Sequence, residues 1–286
     1  MFLLTGAAGR TGKQILGALA AMEQPVRAFI RDPKKAEMMQ RLGAQDVFIG
    51  DLEDPKSISQ AVTGCDAVLH IGPPMHPQEV QITEILLNAA VQSGVQKFVY
   101  YSVMHPLRRE VRHHRLKLDA EEKVIESGLR YTILQPARYM QHLEGIWPRV
   151  LTDHVHAMPF NVDVKFNVVD LADLAAATAT VAASADHDYA TYELAGPEAL
   201  SQSDMASIIS DVLGKSVVAA AVTIADMEAK ALKAGLSADR ISQMRVMNEH
   251  YDKYGFLGNS NVLKWIVGRP LSTFRQYVER LVKTNM

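Results

Sequence analysis

Cysteine is nearly missing from this sequence: Cys65 stands alone among 286 residues, which excludes an internal disulfide and any metal site built on several thiolates. A reducing, cytoplasmic setting is the expectation. An excess of either charge is missing too, with 30 Lys+Arg against 32 Asp+Glu, so no general field draws the chain to phosphate backbones or anionic lipid. Neither nucleic acid nor a membrane is an expected partner. No apolar run approaches the ~20 residues of a membrane helix, and strand-like residues follow directly on Met1, so no cleaved export signal is expected. Gly, Ser or Pro linkers and internal repeats are also lacking. The 48% of hydrophobic residues is ample for a large buried core.

What is there is alternation. Apolar runs at Phe2–Thr5, Val26–Ile30, Asp46–Ile49, Ala67–Ile71, Lys97–Ser102 and Tyr131–Gln135 are separated by helical patterns at Arg10–Met22, Pro33–Leu42, Pro55–Val62, Gln78–Ser93 and Leu116–Ser127. This rhythm predicts an α/β fold, a Rossmann-like doubly wound parallel sheet with helices on both faces. Asp32-Pro33 and Asp54-Pro55 open two of the helices, and Gly94 and Gly128 close two others. After Gln135 the rhythm loosens. Leu171–Ser184 reads as an alanine-rich packed helix, Tyr189–Leu194 as a strand, Ser201–Leu213 as a capped helix ending at Gly214, and Ile224–Tyr254 as two helices split near Gly235. The expected division is 1–150 for a dinucleotide-binding domain and 151–286 for a smaller, mostly helical substrate-binding part, with a soft boundary because Phe166–Val181 can return to the main sheet.

The strongest motif is Gly6-x-x-Gly9-x-x-Gly12, set between the first strand and a helix whose Ile15, Leu16 and Leu19 share a face. Gly6 permits a tight turn, Gly9 lets backbone approach a pyrophosphate, Gly12 allows close helix packing, and the helix amino terminus, with Arg10 and Thr11, faces the anion. A P-loop is excluded, since five residues separate Gly6 from Gly12 and Gln14 follows Lys13. After the second strand, Arg31-Asp32-Pro33-Lys34-Lys35 places cations where the 2′-phosphate of NADP(H) would sit, which favours NADP(H) over NAD(H). Asp32 is the opposing residue, because an acid there can grip a ribose hydroxyl.

Together with Gly50-Asp51-Leu52 and Tyr131-x-x-Leu134-x-Pro136, these motifs resemble the NmrA-like group of atypical short-chain dehydrogenases over nearly the whole chain. The resemblance implies that Asp51 and Leu52 contact the adenine and that Ile71-Gly72-Pro73 border the cofactor. Asp51 has the alternative of capping a turn, and Gly72-Pro73 that of stiffening a loop. The usual Tyr-x-x-x-Lys pair is replaced by His113-x-x-x-Lys117, with Lys117 as the ribose-holding lysine, Lys123 as its competitor, and His114 expected to be exposed. Ser102 closes the fifth strand where the group often has a substrate-contacting hydroxyl. Arg138-Tyr139-Met140-Gln141-His142 follow the sixth strand, and Tyr139, Met140 and His142 are the expected substrate contacts. Trp147, Met244, Met247, Tyr251 and Tyr254 are candidates for an apolar wall. His154-x-His156 lacks a third ligand and makes no metal site. Three functions follow: an NADPH-dependent reductase of a small aromatic or conjugated acceptor such as a quinone or dye, a cofactor-binding redox sensor acting on a protein partner without turnover, and, less favoured, a sugar-nucleotide epimerase.

Overall fold

Strands buried on both faces need uninterrupted apolar sequence, and the first half of the chain supplies it. In the computed structural model, which describes residues 1–284, the chain runs β1 (Phe2–Leu4), α1 (Arg10–Ala21), β2 (Val26–Ile30), α2 (Ala36–Arg41), β3 (Asp46–Ile49), α3 (Pro55–Val62), β4 (Ala67–Ile71), α4 (Glu79–Gln92), β5 (Lys97–Tyr101), α5 (Arg112–Glu126) and β6 (Arg130–Pro136). It continues through β7 (Arg138–Tyr139), α6 (Trp147–Asp153), β8 (Val155–Met158), β9 (Phe166–Val169), α7 (Leu171–Ala183), β10 (Ala190–Leu194), β11 (Glu198–Leu200) and α8 (Gln202–Leu213). The last elements are β12 (Val218–Ala221), α9 (Ile224–Lys233), α10 (Ala238–Tyr254), α11 (Asn261–Val267) and α12 (Phe274–Thr284).

The described residues form two units. The first holds Met1–Leu107, His114–Pro136 and Leu174–Tyr192; the second holds Arg108–His113, Ala137–Asp173 and the chain from Glu193 onward. The first unit carries a seven-stranded sheet in the order β10-β6-β5-β4-β1-β2-β3, with every pair from β3 to β6 parallel. The direction of winding reverses between β1 and β4, and ligands of such sheets bind beyond the strand ends at that point. Leu3, Val68, Phe98 and Ile133 are fully buried in its core, and the Ile15, Leu16 and Leu19 stripe of α1 is fully buried as well. Lys97 draws the end of α7 onto the sheet: its Nζ donates to the Val181 and Ser184 carbonyls at 2.7 and 2.6 Å and pairs with Asp188 at 2.8 Å.

Two local expectations change here. The helix expected over Pro33–Leu42 divides into a 3-10 turn at Pro33–Lys35 and α2. The helix expected from Leu116 starts at Arg112, which rotates His114 onto the buried face with Lys117, Ala120, Glu121 and Val124. His114 is therefore enclosed, not exposed, and its Nδ1 lies 2.9 Å from the His105 carbonyl.

The second unit has a three-stranded sheet, β11-β9-β7, and the pair β12-β8. Phe166–Val169 thus joins a small sheet of its own, and β10 is the strand that returns to the main one. Ser201 and Asp204 close a reciprocal capping box on α8, which ends at Gly214 with φ +64°. Among the described residues no helix is long and apolar enough to cross a membrane.

Candidate functional site

The glycine turn is shaped by contacts that only hydrogen side chains allow. Gly6 has φ +64°, and a Cβ on it would lie 2.7 Å from the Ile71 carbonyl; a Cβ on Gly12 would lie 2.2 Å from the Gly6 carbonyl. Gly9 occupies the N-cap of α1 and no side chain caps that end. The first amides of α1 are thus left for an anion, with Arg10 exposed and Thr11 half-buried beside them.

At the end of β2, one carboxylate oxygen of Asp32 is engaged locally. Its Oδ1 accepts the Lys34 amide at 3.0 Å, capping the Pro33 turn. Arg31, Lys34 and Lys35 stand exposed around it, none with an acidic partner among the described residues. Asp51 caps a turn through the Glu53 amide at 3.0 Å, while Leu52 packs partly on the core. Ile71, Gly72 and Pro73 are half-buried beyond β4.

Lys117 is buried, 6% exposed. Its Nζ donates to Glu79 Oε1 at 2.7 Å and to the Tyr101 carbonyl at 3.0 Å, and lies 4.9 Å from the Tyr100 ring centroid. The Tyr100 hydroxyl donates to the same Glu79 oxygen at 2.8 Å. Glu79 comes this close only because residue 72 is glycine, since a Cβ there would meet its two oxygens at 2.6 and 2.7 Å. Burial works against the Glu79 carboxylate, yet Lys117 and His70 hold its pKa below the usual range. His70 is fully enclosed, with Nδ1 2.8 Å from Thr5 Oγ1, and burial pushes its pKa down to about 4. Lys123, by contrast, sits 40% exposed between Glu126 and Glu84.

Ser102 is buried and gives its hydroxyl proton to Glu121. Gln135 Nε2 donates to both oxygens of that carboxylate, at 3.0 and 2.9 Å, while burial raises its pKa. His113 is half-buried in the first turn of α5. Sequence reasoning missed Glu79 and Glu121. The four-residue step from Lys117 to Glu121 was the available signal, whereas nothing local tied Glu79 to Lys117.

In the second unit Tyr139, Met140 and His142 come together in one recess, completed by Arg138, Leu143, His156, Met158, Phe160, Phe166, Val168, Gln202, Met205 and Phe274. The Tyr139 and His142 rings stack at 5.5 Å and 10°. Trp147, Met244, Met247, Tyr251 and Tyr254 do not line it. Tyr251 instead stands edge-on behind Phe166, with centroids 6.1 Å apart.

Comparison with known proteins places this geometry in context. The model of the NmrA-like family matches residues 1–278. The chain is 28% identical to the NAD(P)H azoreductase of Xenophilus azovorans over 98% of its own length and 97% of the relative's. It superposes on the NADPH-dependent quinone oxidoreductase of Escherichia coli, solved in complex with NADPH, with a TM-score of 0.86, 26% identity, and coverage of 99% and 100% of the two chains. The fold is also that of the triphenylmethane reductase of Citrobacter sp., at a TM-score of 0.85, 23% identity and 99% coverage of both chains.

Proposed function

From the premise that the chain belongs to the NmrA-like family, we propose that it is an NADPH-dependent reductase of the atypical short-chain dehydrogenase type, acting on small aromatic or conjugated acceptors such as quinones or dyes. The observation that carries the reading is the end of β2, where Arg31 and Lys35 stand exposed while Asp32 caps the Pro33 turn through Oδ1. The azoreductase at 28% identity and the quinone oxidoreductase at 26% are named for NAD(P)H- or NADPH-dependent reduction of azo compounds and quinones.

The residues fit the cofactor. Gly6, Gly9 and Gly12 leave backbone room for a pyrophosphate, and the uncapped amides of α1 with Arg10 and Thr11 receive its charge. Arg31 and Lys35 take the 2′-phosphate. Asp51 and Leu52 border the adenine, and Ile71, Gly72 and Pro73 the rest of the dinucleotide. An ammonium has three N–H groups; Glu79 and Tyr101 use two of those of Lys117, leaving one for the nicotinamide ribose hydroxyls. NADPH supplies the hydride. His113 serves as a polar wall or proton donor, Ser102 keeps lone pairs for the acceptor side, and Tyr139, Met140 and His142 line the acceptor pocket. Because quinones and conjugated cations accept hydride before any enzyme acid delivers a proton, the missing tyrosine is tolerable.

A panel of quinones, dyes and enones incubated with NADPH, read at the cofactor's absorbance, tests the proposal. Turnover of at least one class is expected. Binding of both redox forms with different affinities, and no turnover, would replace the reductase with a redox sensor.

A further inference from the structure

Among the described residues, the buried Lys97 and Lys117 and the half-buried Arg27 each face an acid, and the half-buried Arg138 does not. Lys97 has Asp188, Lys117 has Glu79, and Arg27 has Asp46 at 2.6 Å. Arg138 has none among the described residues. Its guanidinium lies 5.2 and 5.7 Å from the Phe160 and Phe166 ring centroids, and Nη2 sits 3.8 Å from the Met158 sulfur. Two further polar groups of the same recess are incompletely used: His156, 3% exposed, has no hydrogen-bond partner at Nδ1, and Gln202, 1% exposed, has none at Oε1.

Burial lowers the Arg138 pKa to about 10, so the group remains a cation at pH 7. Burial, and then the neighbouring guanidinium, lowers His156 to about 4 and leaves it neutral. Even partial desolvation of a cation without a counter-ion is costly, and the cost falls when an anion arrives. The guanidinium fork matches two-oxygen anions in particular. Around it, Phe160, Phe166, Phe274 and the stacked Tyr139–His142 pair offer flat apolar walls.

We infer that this recess binds a planar aromatic anion, a ring bearing a carboxylate or sulfonate that pairs with Arg138, with His156 donating from Nδ1 in the tautomer protonated there and Gln202 Oε1, an acceptor, taking a donor such as a ring hydroxyl. The inference rests on the reading of Tyr139, Met140 and His142 as acceptor contacts and narrows the acceptor to the anionic members of its class. A neutral quinone would leave Arg138 uncompensated.

The test compares naphthalene-2-carboxylate with its neutral isostere naphthalene-2-carboxamide, titrated calorimetrically into the full chain without cofactor. A charge-assisted contact corresponds to about tenfold to a hundredfold in affinity, so the carboxylate is expected to bind tighter by that factor in the parent, and the gap is expected to close in Arg138→Gln. A gap under about threefold, or one that survives Arg138→Gln, overturns the inference. Should Arg138→Gln not fold, Arg138→Lys decides. It keeps the charge without the fork, so severalfold weaker carboxylate binding with unchanged carboxamide binding is expected, and binding equal to the parent's overturns the idea. The two readings fail separately. Quinone turnover without an anion preference removes the anion site alone, and an Arg138-dependent preference in a protein that reduces nothing removes the reductase alone.

Discussion

In the first unit Lys97 lies against Asp188 and the two carbonyls that close α7, whereas in the second Arg138 lies against two rings and a sulfur. Lys97 is buried, and Arg138 is half-buried. One is compensated by its own chain, so its removal strands a carboxylate and two carbonyls. The other is compensated by nothing covalent, so its removal strands nothing. Charge drawn inward therefore serves structure in the first case and, by the inference above, a ligand in the second.

Replacing each cation by methionine exploits this contrast most strongly. Lys97→Met is expected to cost about 3–5 kcal/mol in denaturant unfolding, the usual result of breaking a buried pair. Arg138→Met is expected to cost under about 1 kcal/mol or to stabilise. Equal losses would erase the distinction.

Acid probes both units at once, because His70 and His156 each have a folded-state pKa of about 4. A depressed histidine pKa means that folding favours the neutral ring. That contribution is whole above the ordinary value near 6.5 and is lost as pH falls towards 4. At about 1.4 kcal/mol per pH unit, each histidine is expected to withdraw about 2 kcal/mol between pH 6.5 and 5. His70→Asn and His156→Asn should each flatten the stability profile by its own share, and an unaltered slope in either would show that its ring protonates without penalty.

Arg31 is a third kind of cation, exposed and without an acidic partner among the described residues. Arg31→Ala is expected to leave unfolding unchanged while weakening NADP(H) binding about tenfold to a hundredfold and sparing NAD(H). Equal affinity of the parent protein for the two cofactors would contradict the assignment. The smallest effect belongs to an exposed and paired lysine. Lys123→Ala is expected to cost only a few tenths of a kcal/mol with cofactor affinity intact, whereas Lys117→Ala should lose that affinity. The reverse pattern would move the ribose contact to Lys123.

The first-half sheet was legible in the sequence because its strands are apolar without interruption; Val26–Ile30, Asp46–Ile49 and Ala67–Ile71 coincide with the observed strands. The strands of the second unit were not, since β7 spans two residues and β11 three, too few for any period to register. The run Arg108–Lys117 hid the true start of α5 under charge, and with it the burial of His114. The glycine turn and the recess residues Tyr139, Met140 and His142 could be found from their positions after β1 and β6. The Glu79–Lys117 pair joins residues 38 apart, and Arg138 is distinguished by the lack of an acid, which no motif encodes.

The first unit is assembled from three separate stretches of chain, and the last of them contains the acid and the carbonyls that hold Lys97. On a ribosome that emits about 5–20 residues each second, Lys97 emerges well before its partner Asp188. For several seconds the nascent sheet lacks both β10 and the end of α7, and β6 is left as an uncovered edge. The amino-terminal half, for all its regular pattern, is therefore finished by residues that come late in the chain. Its completion waits on translation, and a fragment cut at residue 150 would leave the Lys97 ammonium without the acid and the two carbonyls that hold it.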